Sequence, residues 1–296
     1  MLTLAFLSHH SKHLITKLVD EIINYDLGVK ILIIENSIDH QLKYELESKY
    51  KKQVKVYLPN ENLGFSKGMN KAIELSDDQF VFLNPADVIL SHTCIQNLLN
   101  CLNNFKDFTL LAPTYKDEKI YKNYEEFLFS KERETHQLKI ENFNLKEVDW
   151  IDGTFIVNKE KIENNKIMDE NIFIYFETMD MCLNFKKKNQ KMFVVENIKF
   201  EHIGGSSHER KFNFEAKLSR NWHYNWSKFY YFKKHYNYFY ALRKSLPNLL
   251  RAIKNYLKNI FATKIENKNK KILASFEIRG IVSGILQKKS NFRIKF

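Results

Sequence analysis

Polar side chains that can bind a ligand follow apolar runs in the first third of the chain. They are Ser8, Glu35, Asn36, Asn84 and Asp87. In an open α/β sheet, ligands bind beyond the carboxyl ends of the strands. If the apolar runs are neighbouring strands, these five side chains are therefore candidates for one ligand site.

Glycines are scarce, and most of them are clustered. Of the eight glycines in the chain, five lie at the ends or breaks of predicted elements: Gly64, Gly68, Gly153, Gly204 and Gly205. The first two stand between a predicted strand and a predicted helix, and the third interrupts a strand. This distribution indicates either a backbone that approaches a ligand closely or ordinary turn chemistry.

Two carboxylates share one face of a helix predicted at Phe176–Lys188. Glu177 and Asp180 are three residues apart, which brings their side chains together on a helical surface. The spacing fits a common role in a site. It also fits simple stabilisation of a helix N-terminus by negative charge.

The elements that must position these residues alternate between strands and helices. Short apolar runs predict strands buried on both faces at Leu2–Leu7, Lys30–Ile34, Val54–Leu58, Phe80–Leu83 and Phe108–Ala112. Helical stripes of apolar residues lie before the second and the last of these runs. This rhythm predicts an α/β fold with a parallel sheet and right-handed crossovers.

The second half of the chain is less regular. Asp117–Glu147 is charged and weakly periodic, so we expect a loop-rich insertion there. Val148–Val157 and Met192–Val195 have strand-like patterns. From Arg210 onward the sequence becomes aromatic and basic, and a helical tail is expected.

Length and composition exclude several classes of protein. With 296 residues, 44% of them hydrophobic, the chain can bury a core and is not disordered. Its three cysteines form no CxxC pair, which excludes a disulfide scaffold and a zinc finger and favours a reducing compartment. No apolar run approaches the roughly 18–20 residues that span a bilayer, and Met1–Leu7 is too short for a signal peptide. We therefore expect a cytoplasmic protein, or one on the cytoplasmic face of a membrane.

The formal charge of +12 is concentrated in the C-terminal third. Residues 201–296 hold 21 Lys+Arg against 5 Asp+Glu, a net charge of +16. The preceding 200 residues hold 26 against 30, a net charge of −4. A mildly acidic body thus carries a strongly basic tail.

Six segments follow one another along residues 1 to about 210: ILIIENSID at 31–39, NLGFSKGMN at 62–70, FLNPADV at 82–88, DWIDGTFIV at 149–157, DENIFIYFETMDMCL at 169–183 and KFEHIGGSS at 199–207. In this order they resemble motifs of the inverting family 2 glycosyltransferases, especially rhamnosyltransferase-like members. The resemblance implies a GT-A fold over residues 1–210, Rossmann-like, with a mostly parallel central sheet flanked by helices. Residues 211–296 would then form a C-terminal helical extension.

The resemblance also implies a site for a nucleotide-diphosphate sugar. The residues expected on the donor side are Ser8, just past the first strand, and, within the motifs, Glu35, Asn36, Asn62, Gly64, Lys67, Asn70, Asn84 and Asp87. Glu35 would bond the ribose or base; alternatively it is a solvated strand end. The Gly64 loop would let the backbone approach the nucleotide, with Lys67 as a nearby cation. Asn70 is expected in the first turn of the following helix, where it would either pin the loop or only cap the helix locally.

Asp87 and His202 are the ligands expected for Mg²⁺ or Mn²⁺. In the family, the last acidic residue of the L-N-P-D segment holds a cation that bridges the diphosphate oxygens. Ala86 occupies that position here, and Asp87 follows it. Either the loop shifts so that Asp87 serves, or metal binding is weakened. Few protein ligands suffice, because phosphates and water complete the shell. His202 is otherwise a structural histidine.

Inversion requires a carboxylate that deprotonates the acceptor hydroxyl. The family places it in an E-D pair at the start of a helix, but the second member here is Thr178, which cannot act as a base. Glu177 is therefore the expected base, with Asp180 positioning it or the acceptor. Trp150 and Gly153 would shape the acceptor side, where Trp150 either stacks on a sugar or lies in the core.

The basic tail has the pattern of a membrane-surface anchor. It contains 13 aromatic residues between Arg210 and Tyr240. Apolar residues at helical spacing from Leu246 to Ile260 are interleaved with lysine and arginine, which suits an anionic membrane surface. Two alternatives are helices that pack on the catalytic domain and a basic, aromatic surface for nucleic acid.

The sequence therefore predicts a glycosyltransferase. It would move rhamnose or another hexose from a nucleotide-diphosphate donor, with inversion, to a lipid-linked or other glycan at the inner face of the cytoplasmic membrane, in surface polysaccharide or glycan synthesis. One alternative is a non-catalytic relative that binds a glycan or nucleotide sugar, motivated by Ala86, Thr178 and Asn184 at family positions. The other is a nucleic-acid-binding protein, although no nucleic-acid motif accompanies the charge and no nucleic acid is expected as a partner.

Overall fold

The computed structural model describes residues 1–119, 121–129, 136–203 and 210–294. The chain forms two compact units. The first comprises Met1–Met168 and Thr178–His208, and the second comprises Asp169–Glu177 and Glu209–Phe296. The segment Asp169–Glu177, which the sequence analysis assigns to the first domain, thus belongs with the C-terminal helices.

The first unit begins with alternating strands and helices. They are β1 (Leu2–Ser8), α1 (Lys12–Asn24), β2 (Lys30–Glu35), α2 (His40–Tyr50), β3 (Val54–Tyr57), α3 (Gly64–Leu75) and β4 (Phe80–Pro85). The four strands are parallel neighbours in the order β3-β2-β1-β4. The parallel sheet predicted from the apolar runs is confirmed here.

The unit continues with shorter elements. They are β5 (Val88–Ile89), α4 (His92–Asn104), β6 (Leu110–Tyr115), β7 (Tyr124–Glu125), β8 (Gln137–Ile140), β9 (Phe143–Glu147), β10 (Trp150–Ile151), β11 (Phe155–Asn158), α5 (Glu177–Lys187) and β12 (Met192–His202). The sheet extends from β4 in the order β11-β6-β12-β9-β8, and β5 pairs with the end of β12. Strand β11 runs antiparallel to both of its neighbours, β4 and β6.

Two expectations for the second half of the chain need correction, and one needs refinement. The described part of Asp117–Glu147 is rich in loops as expected, but it also contains β8 and β9, an antiparallel hairpin that widens the sheet beyond β12. Val148–Val157 is two strands rather than one. It breaks at Gly153, whose φ of +66° belongs to the left-handed region. The strand predicted at Met192–Val195 continues to His202 through a shift in register.

Two hydrophobic clusters cover the two faces of the sheet. Leu4 and Phe6 of β1 belong to one cluster and Ala5 to the other, as alternation along a strand requires. Helices α1, α2 and α4 pack in the first cluster, and α3 and α5 in the second. All three cysteines of the chain lie in these clusters as free thiols, and burial raises the pKa of each to about 12.

The second unit is helical. It contains α6 (Asn213–His235), α7 (Tyr238–Lys258) and α8 (Ile265–Ile285), which pack on one another. The packing of α8 on α6 is close, because Gly280 faces the backbone carbonyl of Trp222 and Gly284 faces the ring of Phe229. The helical extension predicted from the sequence is confirmed.

The segment Asp169–Glu177 is fastened to α6. The carboxylate of Asp169 accepts hydrogen bonds from Tyr230 and Lys234 at 2.9 and 2.8 Å. The hydroxyl of Ser227 donates to the carbonyl of Ile174 at 2.9 Å. These polar contacts explain why the segment groups with the helices rather than with the sheet.

Four aromatic residues of α6 lie in the interior of the second unit. Trp222, Trp226, Phe229 and Tyr231 are buried, and the indole of Trp226 donates a hydrogen bond to the carbonyl of Lys288 at 2.9 Å. These rings therefore provide neither a stacking surface for bases nor the apolar side of an anchor. No helix among the residues described is long and apolar enough to cross a membrane.

Candidate active site

The polar residues predicted at the strand ends come together at one edge of the sheet. In the register of β1 with β2, Ser8 lies opposite Glu35, and in the register of β1 with β4, Phe6 lies opposite Asn84. Ser8, Glu35 and Asn84 are all buried. Parallel pairing of three apolar runs thus places their polar ends side by side.

Four buried oxygens at this edge have no hydrogen-bond partner among the residues described. They are Ser8 Oγ, Glu35 Oε2, Asn84 Oδ1 and Ser66 Oγ. Buried polar atoms are nearly always paired in folded proteins, so such a group indicates a place where a ligand or ordered water completes the bonding. Ser66 was not predicted from the sequence. Its position between Gly64 and Gly68 was the available signal.

The second carboxylate oxygen of Glu35 has a local role. Its Oε1 accepts a hydrogen bond from the backbone nitrogen of Ser37 at 2.8 Å and another from the Ser37 hydroxyl. The carboxylate is therefore held in one orientation, with Oε2 left over. This arrangement fixes the orientation of the carboxylate at the sheet edge and leaves Oε2 available as a hydrogen-bond acceptor.

Asn36 and Asn62 hold the glycine loop. The Asn36 side chain donates to the Gly64 carbonyl at 3.2 Å and accepts from the backbone nitrogen of Leu63 at 3.2 Å. Asn62 Oδ1 accepts from the backbone nitrogen of Gly64 at 2.9 Å. Gly64 has a φ of +71°, which a side chain would strain, and α3 begins there. Both asparagines thus shape the loop that begins the helix.

Lys67 and Asn70 lie on α3 in different surroundings. Lys67 is half-buried and forms no ion pair with any residue that the structure describes. Asn70 lies in the second turn rather than in the predicted first turn, because α3 already begins at Gly64. Its side chain accepts from the backbone nitrogens of Ile167 and Met168, both at 3.1 Å, and donates to the Met168 carbonyl at 2.9 Å. Asn70 therefore fastens a distant segment to the helix.

Asp87 and His202 face each other across the pairing of β5 with β12. Asp87 Oδ1 lies 3.2 Å from His202 Nε2, and the backbone nitrogen of Ile203 donates to the Asp87 carbonyl at 2.9 Å. The hydrogen bond to Asp87 raises the pKa of His202, against the opposing effect of burial. Ala86, at the position where the family resemblance implies an acid, is buried in the core. The carboxylate that faces His202 is thus that of Asp87.

The Asp87–His202 pair fits a divalent cation of the Mg²⁺ or Mn²⁺ type. A carboxylate oxygen and an imidazole nitrogen at this spacing are both acceptable donors, and phosphate oxygens and water complete such shells. No group of three or more His, Cys, Asp or Glu side chains is arranged around a metal position within the described ranges. The rest of the His202 motif, Gly204–Ser207, lies outside the described residues.

A second group of polar side chains surrounds Asp152. Its Oδ2 accepts a hydrogen bond from the Tyr121 hydroxyl at 2.8 Å, and its Oδ1 accepts from the Thr178 hydroxyl at 3.1 Å. The indole of Trp150 donates to the same Thr178 hydroxyl at 3.2 Å. The Tyr121 ring lies 5.7 Å from the His202 ring, centroid to centroid, which links this group to the Asp87 pair.

Sequence reasoning missed Asp152 and Tyr121. Asp152 lies inside the segment 149–157, and an acid between Trp150 and Gly153 was the signal available. Trp150 is half-buried, and its indole nitrogen donates a hydrogen bond to the hydroxyl of Thr178. Gly153 has open space around it, since a Cβ there would meet no heavy atom within 4 Å.

The two acids predicted from the helix lie in different units. Glu177 is the first residue of α5 and belongs to the second unit, whereas Asp180 belongs to the first. Asp180 is fully buried and accepts a hydrogen bond from the side chain of Asn184 at 3.3 Å. A catalytic role for Glu177 stays a prediction from the sequence.

The sequence places this fold and site in a known family. The sequence model described as "Glycosyl transferase family 2" matches residues 6–166, more than half of the chain. The chain belongs to glycosyl transferase family 2. The match includes the strand ends, the glycine loop, Asp87 and Asp152.

Solved structures resemble this glycosyltransferase in fold. A mannosyltransferase, PcManGT from Pyrobaculum calidifontis, in complex with GDP-Man and Mn²⁺, has a TM-score of 0.56 at 11% identity, over 97% of this chain and 88% of that one. Residues 1–349 of S. aureus TarS give 0.50 at 13% identity, over 99% and 94%. GalNAc-T7 with UDP, GalNAc and Mn²⁺ gives 0.52 at 10% identity, over 79% and 51%. The likeness shows that the glycosyltransferase has the GT-A fold. A comparison with curated protein sequences gives no match.

The site of this glycosyltransferase has two sides. On one side are the buried oxygens at the ends of β1, β2 and β4, the loop at Gly64 and the Asp87–His202 pair. On the other side is the Asp152 group, joined to the first through Tyr121. The first side offers hydrogen-bond acceptors and two side chains that can bind a metal ion, and the second offers a carboxylate.

Proposed function

We propose that this glycosyltransferase transfers a hexose, rhamnose or another, from a nucleotide-diphosphate donor to a hydroxyl of a glycan acceptor, with inversion at the anomeric carbon. The observation that carries this proposal is the group of unpaired buried oxygens at the strand ends, together with the Asp87–His202 pair that follows β4. Ribose and base groups need acceptors of this kind, and a diphosphate needs a cation. The PcManGT structure was solved with GDP-Man and Mn²⁺, which agrees with a donor of this class.

The donor is assigned to the ends of the parallel strands. Glu35 and Ser8 are adjacent there and supply acceptor oxygens for ribose or base. The Gly64 loop, held by Asn36 and Asn62, presents backbone close to the nucleotide. Lys67 supplies a positive charge for the diphosphate.

Asp87 and His202 would hold the Mg²⁺ or Mn²⁺ ion. When bound, the ion neutralises charge on the diphosphate leaving group. The protein's own contribution is the spacing of the two donors. This spacing is fixed by the pairing of β5 with β12 and by the hydrogen bond from Ile203 to Asp87.

Inversion by single displacement requires a carboxylate on the acceptor side. The acceptor hydroxyl attacks the anomeric carbon from the face opposite the diphosphate, and its proton passes to that carboxylate. The E-D motif favours Glu177 for this role on sequence grounds.

We also propose that the enzyme works on a lipid-linked glycan at the cytoplasmic face of a membrane, in surface polysaccharide or related glycan synthesis. Helix α7 supports this, because apolar residues at helical spacing are exposed along it: Leu246, Leu250, Ile253 and Leu257. Arg243, Lys244, Lys254 and Lys258 are exposed on the same helix. Apolar and cationic groups on one helix suit an anionic lipid surface.

The test of the function is donor turnover. The purified chain is incubated with UDP-, GDP- and dTDP-linked hexoses, with Mn²⁺ or with EDTA, and release of the nucleoside diphosphate is measured. We expect release from one class of donor, stimulated by Mn²⁺. Tight binding of a donor without release from any of them would instead support a non-catalytic sugar-nucleotide-binding relative, the alternative that Ala86 and Thr178 motivate.

A further inference from the structure

Helix α5 lacks an acid at its second residue, and a carboxylate from another element lies against that position. Thr178 stands at the position where the resemblance to the family's E-D motif implies a second acid. Its hydroxyl donates to Asp152 Oδ1 at 3.1 Å. The negative charge that is missing from the helix is thus present next to it, on the loop between β10 and β11.

The direction of β11 explains how this loop reaches the active site. Strand β11 is antiparallel to β4, with Phe155 opposite Leu83. Residues that precede β11 therefore lie at the edge where β4 ends and Asp87 follows. Tyr121 spans the remaining gap, since its hydroxyl binds Asp152 at 2.8 Å and its ring packs on His202.

The Asp152 carboxylate is rigidly held. The backbone nitrogen of Asp152 donates a hydrogen bond to the Asn123 carbonyl at 2.8 Å, and the backbone nitrogen of Thr154 donates one to the Asp152 backbone carbonyl at 2.7 Å. Each side-chain oxygen accepts one hydrogen bond, from Thr178 or from Tyr121. Burial and the charge of Asp152 raise the pKa of Tyr121, so this hydroxyl keeps its proton and remains a donor. Each oxygen retains a free lone-pair direction.

Asp152 is also accessible where neighbouring acids are not. It is half-buried, and the adjacent Gly153 borders open space. Asp149 is buried in an ion pair with Lys186 at 2.8 Å. Asp180 is fully buried. Of these three acids of the first unit, Asp152 is the one that is partly exposed to solvent.

We propose that Asp152, rather than the Glu177 that the sequence motif favours, is the catalytic base of the transfer. The proposal rests on the proposed function. The acceptor O–H bond breaks and its proton passes to the Asp152 carboxylate, while the acceptor oxygen bonds to the anomeric carbon. The bond from that carbon to the diphosphate oxygen breaks, and its electron pair leaves with the nucleoside diphosphate. Asp152 then returns its proton to solvent.

Thr178 and Tyr121 are positioning residues in this scheme. They orient the carboxylate without touching the reacting atoms, so Thr178→Ala and Tyr121→Phe should lower turnover less than loss of the carboxylate does. Their effect should fall on kcat and leave nucleotide binding unchanged.

The test compares Asp152→Asn with the wild-type chain in two measurements. The first is the rate of nucleoside diphosphate release from the donor that the wild-type chain turns over, with water as acceptor and Mn²⁺ present. The second is the rise in melting temperature on addition of that nucleoside diphosphate. Glu125→Gln, an exposed carboxylate on β7 opposite Trp150, is the matched control.

We expect Asp152→Asn to lower release about 100-fold or more while the nucleotide-induced rise in melting temperature is kept. Release within threefold of wild type would overturn the proposal. So would loss of the nucleotide-induced shift, which would make Asp152 a structural residue. Loss of release in Glu177→Gln with retention in Asp152→Asn would return the base to the helix. If the wild-type chain released nothing from any donor, the proposed function itself would fail, and this assignment with it.

Discussion

The hydroxyl of Thr178 donates a hydrogen bond to the carboxylate of Asp152, 3.1 Å away. From the sequence alone, a threonine at this position of the segment that resembles the E-D motif indicates that a carboxylate is missing. In the fold it is the partner of an acid supplied by a neighbouring loop, and Trp150 donates to the same hydroxyl. The carboxylate absent at position 178 is therefore matched by the carboxylate of Asp152, which lies against it.

The nucleotide side of the site is tested with Glu35→Gln. We expect affinity for the donor's nucleoside diphosphate to fall about 10–100-fold, the value of a hydrogen bond to a charged group. Stability should be unchanged or higher, because a buried carboxylate with an unpaired oxygen is costly. Calorimetric titration and thermal unfolding measure the two effects. The exposed Glu61→Gln is the control, and equal affinity in both variants would contradict the assignment.

The metal site is tested with Asp87→Asn and His202→Gln. Each variant removes one of two protein donors, so affinity for Mn²⁺ in the presence of nucleoside diphosphate should fall about tenfold or more. Isothermal titration with Mn²⁺ gives the affinities. The exposed His136→Gln should bind Mn²⁺ like the wild-type chain. Unchanged Mn²⁺ binding in both site variants would place the ion elsewhere.

The membrane contact is tested on α7 with Leu250→Ser and Leu257→Ser. These side chains are 59% and 58% exposed, so their removal should leave the fold intact. Loss of their apolar surface should weaken binding to phosphatidylglycerol-containing vesicles about tenfold each. Flotation or sedimentation with vesicles measures the binding. Tyr44→Ser, exposed on α2, is the control, and the idea is wrong if all three variants bind alike.

The close packing of α8 on α6 is tested with Gly280→Ala. A Cβ at Gly280 would collide with the backbone carbonyl of Trp222, which cannot rotate away. The free energy of unfolding should therefore fall by about 1–3 kcal/mol, although alanine favours a helix over glycine. Urea unfolding measures the change. Lys268→Ala, exposed on the same helix, should be neutral or stabilising, and equal effects at both positions would contradict the contact.

The second unit should lose stability in mild acid because of His223. Burial, with a contribution from the charge of Arg293, lowers its pKa to about 3, while the unfolded value is near 6.5. The neutral ring packs on Phe173 and bonds the Phe292 carbonyl. Its contribution is present above the unfolded pKa and is lost as the pH falls toward 3, since only the unfolded chain then takes up the proton.

The measurement is unfolding free energy between pH 7 and pH 4. The wild-type chain should lose up to about 1.4 kcal/mol per pH unit from this residue. His223→Gln should flatten that part of the slope, and the exposed His40→Gln should not. Identical slopes in the wild-type chain and His223→Gln would show that this ring does not stay neutral.

Features that depend on local pattern were predictable from the sequence. The runs that became β1, β2 and β4 are continuous and apolar, and their ends carry Ser8, Glu35 and Asn84. Once these strands pair in parallel, the three residues lie side by side, so their proximity could be predicted from the strands alone. To predict that Asp87 lies next to His202, only the sequence motif and one additional strand pairing, that of β5 with β12, are needed.

Contacts between residues that are far apart in the sequence were not predictable, because they depend on how distant strands and segments pair. The bonds of Asp152 to Thr178 and Tyr121 join residues 26 and 31 positions apart, across an antiparallel strand that a βαβ rhythm does not anticipate. Asn70 binds a segment 98 positions away. The aromatic residues of α6 have the composition of an anchor, and only the packing of α6 with α7 and α8 shows that Trp222, Trp226, Phe229 and Tyr231 are core.

The three cysteine thiols described in the sheet clusters have a practical consequence. Because Cys94, Cys101 and Cys182 are buried and burial raises the pKa of each to about 12, hardly any thiolate exists to meet a maleimide at neutral pH. A single cysteine introduced at an exposed place such as Phe261, 92% accessible just beyond α7, would then carry a fluorophore alone. The three buried cysteines therefore need not be replaced before thiol labelling, and spectroscopic reporters can be attached at one introduced cysteine at a time.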